Sequence, residues 1–296
     1  MPGREHLHEI SNDSIKAAIS SQGAELQSLA KDGFEYIWQG NVPGLWEGKA
    51  PLQFPFVGRH SGGVYLYEGK EYSIDIHGFA KDSAFEVVGK SDVSASFRLE
   101  SNPELEKQYP FKFCLTIQYS LKDSRLYTDV ALENTAISRD LHFGLGWHPG
   151  INVPLDEGLA FDDYYIEFEQ YQDPQSVVFS ESLLFDGLKS FALEGRKRLP
   201  LSHSMFDADA ISLVGTGKAA TLKSGKGSRY ASIGFEDMKY FTFWHNPKTK
   251  APFICIEPQL SFPGRQGIVE NLNEHPSLQL LKAGNTYRNG WWIEVG

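Results

Sequence analysis

Short runs of β-branched and aromatic residues, broken repeatedly by Gly, Asp, Asn and Ser, fill this chain, and long windows with helical periodicity are nearly absent. A chain patterned this way buries its apolar residues by pairing strands and packing sheets, so the expected class is all-β, a large antiparallel β-sandwich with few short helices. Several pairs of runs read as hairpins. Residues 24–30 and 34–39 flank Lys31-Asp32-Gly33, and residues 64–67 and 71–74 flank Glu68-Gly69-Lys70, with glycine supplying positive φ in each turn. Residues 111–121 and 126–133 alternate about Lys122-Asp123-Ser124, and residues 219–222 and 230–235 about a Ser-Gly-Lys-Gly-Ser turn. Residues 102–109 have room for one helical turn, and residues 175–188 read as a short helix or an irregular loop.

Nothing divides the pattern. No internal repeat, low-complexity tract or Pro/Gly/Ser linker marks a boundary, so residues 1–296 are expected to form a single domain, with residues 1–9 as a flexible or peripheral segment. Hydrophobic residues make up 41% and aromatics 13% of the chain, enough for a sizeable core. The formal net charge of −10 opposes the field that nucleic acid or an anionic membrane surface would need, so neither is an expected partner. The N-terminal stretch is polar, with no apolar signal-peptide core, and no apolar run approaches a membrane span; a cytoplasmic protein, monomer or homodimer, is expected. Asn12-Asp13-Ser14 matches a glycosylation sequon, read as silent for the same reason. Cys114 and Cys255 both lie in apolar runs and read as buried free thiols.

Several chemistries lack their motifs. There is no Walker-type loop, no G-x-S-x-G elbow and no H-E-x-x-H. Gly144-Leu145-Gly146 runs into Trp147-His148-Pro149 instead of opening a helix, so it is not a dinucleotide fingerprint. His6 and His8 read as part of a solvated tail, not a metal site.

Four segments place polar groups inside apolar strands: residues 54–60, 76–82, 144–152 and 253–258. In the third, the proline of His148-Pro149 holds His148 extended and is expected to stop the strand. In the fourth, Phe253-Ile254-Cys255-Ile256 delivers Glu257 before Pro258, the same construction with a carboxylate. Taken singly, each residue has a structural explanation: a core imidazole can bond a carbonyl, Arg59 can pair with a core carboxylate, and His77 can cap a turn. Trp38, Trp46, Trp147 and Trp244 read individually as core or rim, although sugar sites favour an aromatic face.

In register, these segments resemble the aldose 1-epimerase (galactose mutarotase) family, particularly its bacterial LacX-like branch. The markers are Gly23-Ala24-Glu25-Leu26, Tyr36-Ile37-Trp38-Gln39-Gly40, Phe54-Pro55-Phe56-Val57-Gly58-Arg59, His77-Gly78-Phe79-Ala80, Gly146-Trp147-His148-Pro149 and Cys255-Ile256-Glu257-Pro258, spread from Ile10 to Trp291-Trp292-Ile293. The resemblance implies a galactose mutarotase-like β-sandwich that binds a sugar, a hexose or hexose phosphate, in a cleft on one sheet. It implies interconversion of α and β anomers with no cofactor and no metal, Glu257 acting as general base and His148 as general acid. Arg59 and His77 would hold the sugar's oxygens, and Trp147 and Phe79 would line its site. The chemistry asks each of Glu257 and His148 to favour the other's charged form across the cleft. Trp147 and Gln259-Leu260 depart from the family's pattern, which implies a reshaped pocket. Asp237 and Asp82 are candidates for a further substrate-binding carboxylate, and Lys81, Arg59 and Arg265 for phosphate ligands. A non-catalytic sugar-binding protein on the same fold is the alternative of a different class.

Overall fold

The protein is described here by a computed structural model covering residues 6–170 and 173–296. Each expected hairpin forms as an antiparallel pair, Leu26–Lys31 with Phe34–Glu35, Val64–Tyr67 with Lys70–Ser73, Phe113–Lys122 with Arg125–Asn134, and Ala219–Ser224 with Tyr230–Phe235. One α-helical turn, Leu105–Gln108, falls where one was expected. Among the described residues, no helix is long and apolar enough to cross a membrane.

Two large antiparallel sheets carry the fold. One has nine strands, running from Arg198–Pro200 through the central Thr286–Val295 strand to Glu86–Lys90. The other has eight, from Phe185–Ser190 through Gln175–Phe179, Ile211–Val214, Tyr240–Trp244 and Phe253–Gln259 to Gly146–Trp147 and Leu52–Gln53, with Gly150–Asn152 also on the Phe253–Gln259 strand. Because side chains alternate across a strand, the inward set of the second sheet, including Ile254, Ile256, Phe241, Phe243 and Trp147, joins Trp291 and Ile293 of the first in one core. The outward set of the same strands builds the site described below.

Two readings of the sequence are corrected. Residues 175–188 are not a helix or loop: Gln175–Phe179 and Phe185–Ser190 pair as a hairpin. Val177, Val178 and Phe179 suit extended backbone, and the turn uses Leu183 at φ 59, a left-handed position that no glycine announces. The N-terminal segment is also more structured than expected. Of residues 1–9, residues 1–5 lie outside the described ones, but Leu7–Ser11 pairs along its whole length with Lys16–Ser20. His8 sets its ring edge-on to buried Phe97 at 5.5 Å, so it is not part of a solvated tail. Cys114 and Cys255 are free thiols, the latter fully buried.

Candidate active site

Strand register brings the two candidate proton-transfer groups together. Gly150 pairs with Cys255 and Gly146 with Gln259, one continuous antiparallel register that sets His148 directly opposite Glu257. The imidazole Nε2 and the carboxylate Oε1 lie 3.2 Å apart. On the far side, His148 N–H donates to the Pro51 carbonyl at 3.0 Å, and Glu257 is flanked by Thr242 of the neighbouring strand. Pro149 does interrupt the strand carrying His148, but Glu257 sits inside Phe253–Gln259, not at its end. Pro258 is tolerated there because ladder donors at Ile256 and Leu260 reach Pro149 and Leu145, so the missing donor falls beside the break between Gly146–Trp147 and Gly150–Asn152.

Arg59 and His77 arrive from a second construction. The 54–59 and 76–79 segments are zipped by Phe54 N–H to the His77 carbonyl (3.1 Å), His77 N–H to the Gly58 carbonyl (2.7 Å) and Phe79 N–H to the Phe54 carbonyl (3.1 Å). Gly78, at φ +71, lets the chain turn there, since a Cβ would stand 2.3 Å from the Phe54 oxygen. Gly58 N–H donates to His77 Nδ1 at 3.0 Å. That bond fixes Nδ1 as acceptor in the neutral ring and leaves Nε2–H as a donor.

His148, Glu257, His77 and Arg59 all line one pocket of about 380 Å³, within the range of small-molecule sites. Trp46 and Trp244 flank His148, with ring centroids 4.7 and 5.6 Å away. Asp209 and Lys81 complete the charged lining. Asp209, at φ 89 just before the Ile211–Val214 strand, has no motif around it and was not legible in the sequence. Asp237 and Asp82, the expected candidates, do not line the pocket; beside Glu257 the carboxylate that does is Asp209. Arg265 is also outside it, held by a two-pronged bond to buried Glu270, each at 2.8 Å.

Trp147 and Phe79 are corrected too. Trp147 follows Gly146 and precedes His148 on one extended run, so if His148 faces the pocket Trp147 faces the core; it is 1% exposed and meets Trp291 at 5.5 Å. Phe79 packs in the core against Phe54 and Phe113. Replacing Trp147 by alanine is therefore expected to cost about 3–5 kcal/mol of folding stability, measurable by denaturant unfolding. A variant that folds with wild-type stability but no longer binds sugar would return Trp147 to the pocket.

Burial governs the charges. It drives His148 down to about 4 and Glu257 well above the ordinary carboxylate range, with amide donors from Gln53 and Gln259 opposing the rise. The expected mutual stabilisation of charged forms is thus reversed in its main cause, and the two groups sit in contact instead of across a gap. One proton shared over 3.2 Å still gives both pairs, carboxyl with imidazole and carboxylate with imidazolium. His77 is pushed down by burial and by His148, which keeps it a neutral donor. Asp209 is raised by burial, against the Ala210 N–H and the Arg59 charge. Among the described residues, no group of three or more His, Cys, Asp or Glu is placed to hold a metal ion.

Two large antiparallel sheets, the eight-stranded one carrying the His148–Glu257 contact in a pocket lined by Trp46 and Trp244, define the class: a galactose mutarotase-like β-sandwich. The chain belongs to the aldose 1-epimerase family, whose model matches residues 6–293. It is 30% identical to the chromosomal LacX protein of Lactococcus lactis subsp. lactis over 261 residues, 84% of this chain and 86% of LacX. A galactose mutarotase-like protein from Lactobacillus casei superposes with a TM-score of 0.92 at 31% identity, covering 98% of this chain and 100% of the other. A galactose mutarotase related enzyme from Lactobacillus acidophilus gives 0.91 at 29% identity, covering 98% and 97%.

Proposed function

We propose that the protein is an aldose 1-epimerase acting on a free, unphosphorylated aldose. The observation that carries this reading is the 3.2 Å contact between His148 Nε2 and Glu257 Oε1. The reaction needs a proton taken from the C1 hydroxyl and a proton given to the ring oxygen, and both oxygens are bonded to C1. A base and an acid this close fit that pair of neighbours. Glu257 takes the hydroxyl proton as the C1–ring oxygen bond breaks, its electrons passing to the ring oxygen, which takes a proton from His148. Rotation about C1–C2 and reclosure with roles reversed gives the other anomer, restoring both side chains. His77 Nε2–H and the Arg59 guanidinium donate to sugar oxygens, Asp209 accepts from a hydroxyl, and Trp46 and Trp244 offer apolar faces.

Charge supports an unphosphorylated substrate. Of the three cations considered for phosphate, Arg265 is committed to Glu270 and Lys81 is paired with Asp82, leaving Arg59 with no ion pair among the described residues. Asp209 also lines the same pocket, and a carboxylate there would repel a phosphate. Anomer equilibration of glucose and galactose is therefore expected to exceed that of glucose 6-phosphate by about tenfold or more in kcat/KM, a difference of roughly 1.4 kcal/mol. A preference for the phosphate would overturn this choice. Arg59→Ala should raise KM for the sugar about tenfold or more, the loss of a charged hydrogen bond, with kcat less affected; an unchanged KM would remove Arg59 from the site.

A further inference from the structure

Around Glu257 lies a polar layer that the acid–base reading does not use, with Gln259, Thr242 and Ser212 lining the pocket and Gln53 behind them. Gln53, Gln259, Thr242 and Ser212 are all at most 5% exposed; Ser212, Thr242 and Gln259 sit on three adjacent strands, and Gln53 sits on the strand beyond Gly146–Trp147. Gln53 Nε2 donates to Glu257 Oε2 at 3.0 Å, and Gln259 Nε2 donates to the same oxygen at 2.8 Å. Gln259 Nε2 also lies 3.2 Å from Gln53 Oε1. The Thr242 hydroxyl donates to Gln259 Oε1 at 2.7 Å and stands 2.8 Å from the Ser212 hydroxyl. With its oxygen held by Thr242, the Gln259 amide can present only N–H groups to the carboxylate.

The backbone is shaped for this layer. Gln53, Gly146 and Gln259 lie on one rung, Gly146 pairing with both. A Cβ on Gly146 would stand 2.3 Å from Gln53 Oε1 and 3.0 Å from the Gln259 Cγ. The glycine is the gap through which the two glutamines meet. Each amide thus reaches one carboxylate oxygen from either side of a residue with no side chain, while the other oxygen faces His148.

We infer that Gln53 and Gln259 are positioning residues that clamp Oε2 of Glu257 from both sides, so that Oε1, beside His148 Nε2, is the one oxygen that exchanges a proton. The inference rests on the reading of Glu257 as the base. Two N–H bonds to one oxygen of a buried carboxylate favour its charged form and oppose desolvation. They also fix the carboxylate plane, so the free lone pair points towards the reacting proton. Removing either donor raises the carboxyl's proton affinity, so the pH–rate profile can move only upwards.

The test compares Glu257→Gln, Gln53→Leu, Gln259→Leu and Gly146→Ala in galactose anomer equilibration from pH 5 to 9, using those variants that retain the wild-type melting transition. The glycine variant removes no polar group and disturbs the clamp by bulk alone, so it stands in if a leucine variant fails to fold. The expected result is an inactive Glu257→Gln together with clamp variants whose plateau kcat/KM falls about tenfold. At least one limb midpoint in those variants moves up by about one pH unit, the size set by losing a hydrogen bond to a charged group. A role in packing alone would lower activity without moving a midpoint. Inactive Glu257→Gln with unmoved or lowered midpoints in the folded clamp variants overturns the clamp and leaves the base standing. Full activity in Glu257→Gln overturns both.

Discussion

Replacing Glu257 by glutamine is expected to lower kcat for anomer equilibration by roughly two to four decades, with the fold intact. The size follows from removing a general base from a reaction that needs one. The fold should survive because the hydrogen bonds can be kept: a glutamine carbonyl can accept from Gln53 and Gln259 as Oε2 does, and its amide can donate to His148 Nε2. Stability should favour the variant as pH rises. Glu257 has its carboxyl raised in the folded state, so the native protein prefers it protonated. That preference stabilises fully below the ordinary carboxylate value and is lost as pH climbs towards the raised one. Glutamine carries no such dependence, so its melting temperature at neutral pH should equal or exceed that of the wild type. A gain in stability bought with activity is the usual mark of a group kept for function. Melting curves at pH 5 and pH 8 beside the rate assay check both halves.

His148→Asn is expected to cost a comparable two to four decades in kcat, for the complementary reason. Without the imidazole, the ring oxygen must take its proton from water as the ring opens, in a pocket whose Trp46 and Trp244 walls flank that position. The pH profile should change shape as well. In the wild type, one proton shared by the pair makes the working form, so activity falls when a second proton is added and again when the shared one is lost. Since His148 is lowered to about 4 and Glu257 raised, the working range lies between those two events. His148→Asn removes one partner, so the residual rate should show a single titration. A bell of wild-type shape in this variant would mean that another group donates the proton.

The sequence carried the strand order of hairpins well, because Asp32-Gly33, Gly69 and the Ser-Gly-Lys-Gly-Ser turn are local signals that act over a few residues. It failed at residues 175–188, where the turn residue is Leu183 in a left-handed conformation that the surrounding structure imposes. His148, Glu257, Arg59 and His77 were legible as polar groups within apolar runs, and the structure places all four in one pocket. Trp147 could have been excluded by alternation alone, since it cannot share a face with His148 on an extended strand. Phe79 was harder: His77 and Gly78 both have positive φ, so alternation does not run through that turn. Asp209 and Gln53 were invisible as site residues, because only the pairing of distant strands and loops brings them to Glu257 and His148, and Trp46 was one of four tryptophans read as core or rim with nothing to single it out. Gln259, two residues beyond Glu257, shares its face by the same alternation, but its partner Gln53, two strands over, could not be known without the register.

The central claim, that the imidazole and carboxylate 3.2 Å apart pass one proton out and one proton in at C1 of an aldose, is open to one direct measurement. Two-dimensional exchange NMR on an equilibrium mixture of galactose anomers reads α–β interconversion without perturbing it. The account predicts cross-peaks whose build-up rate rises in proportion to wild-type protein and stays at the buffer rate with Glu257→Gln. Exchange at the buffer rate with wild-type protein, for galactose and for every other free aldose tried, would contradict it.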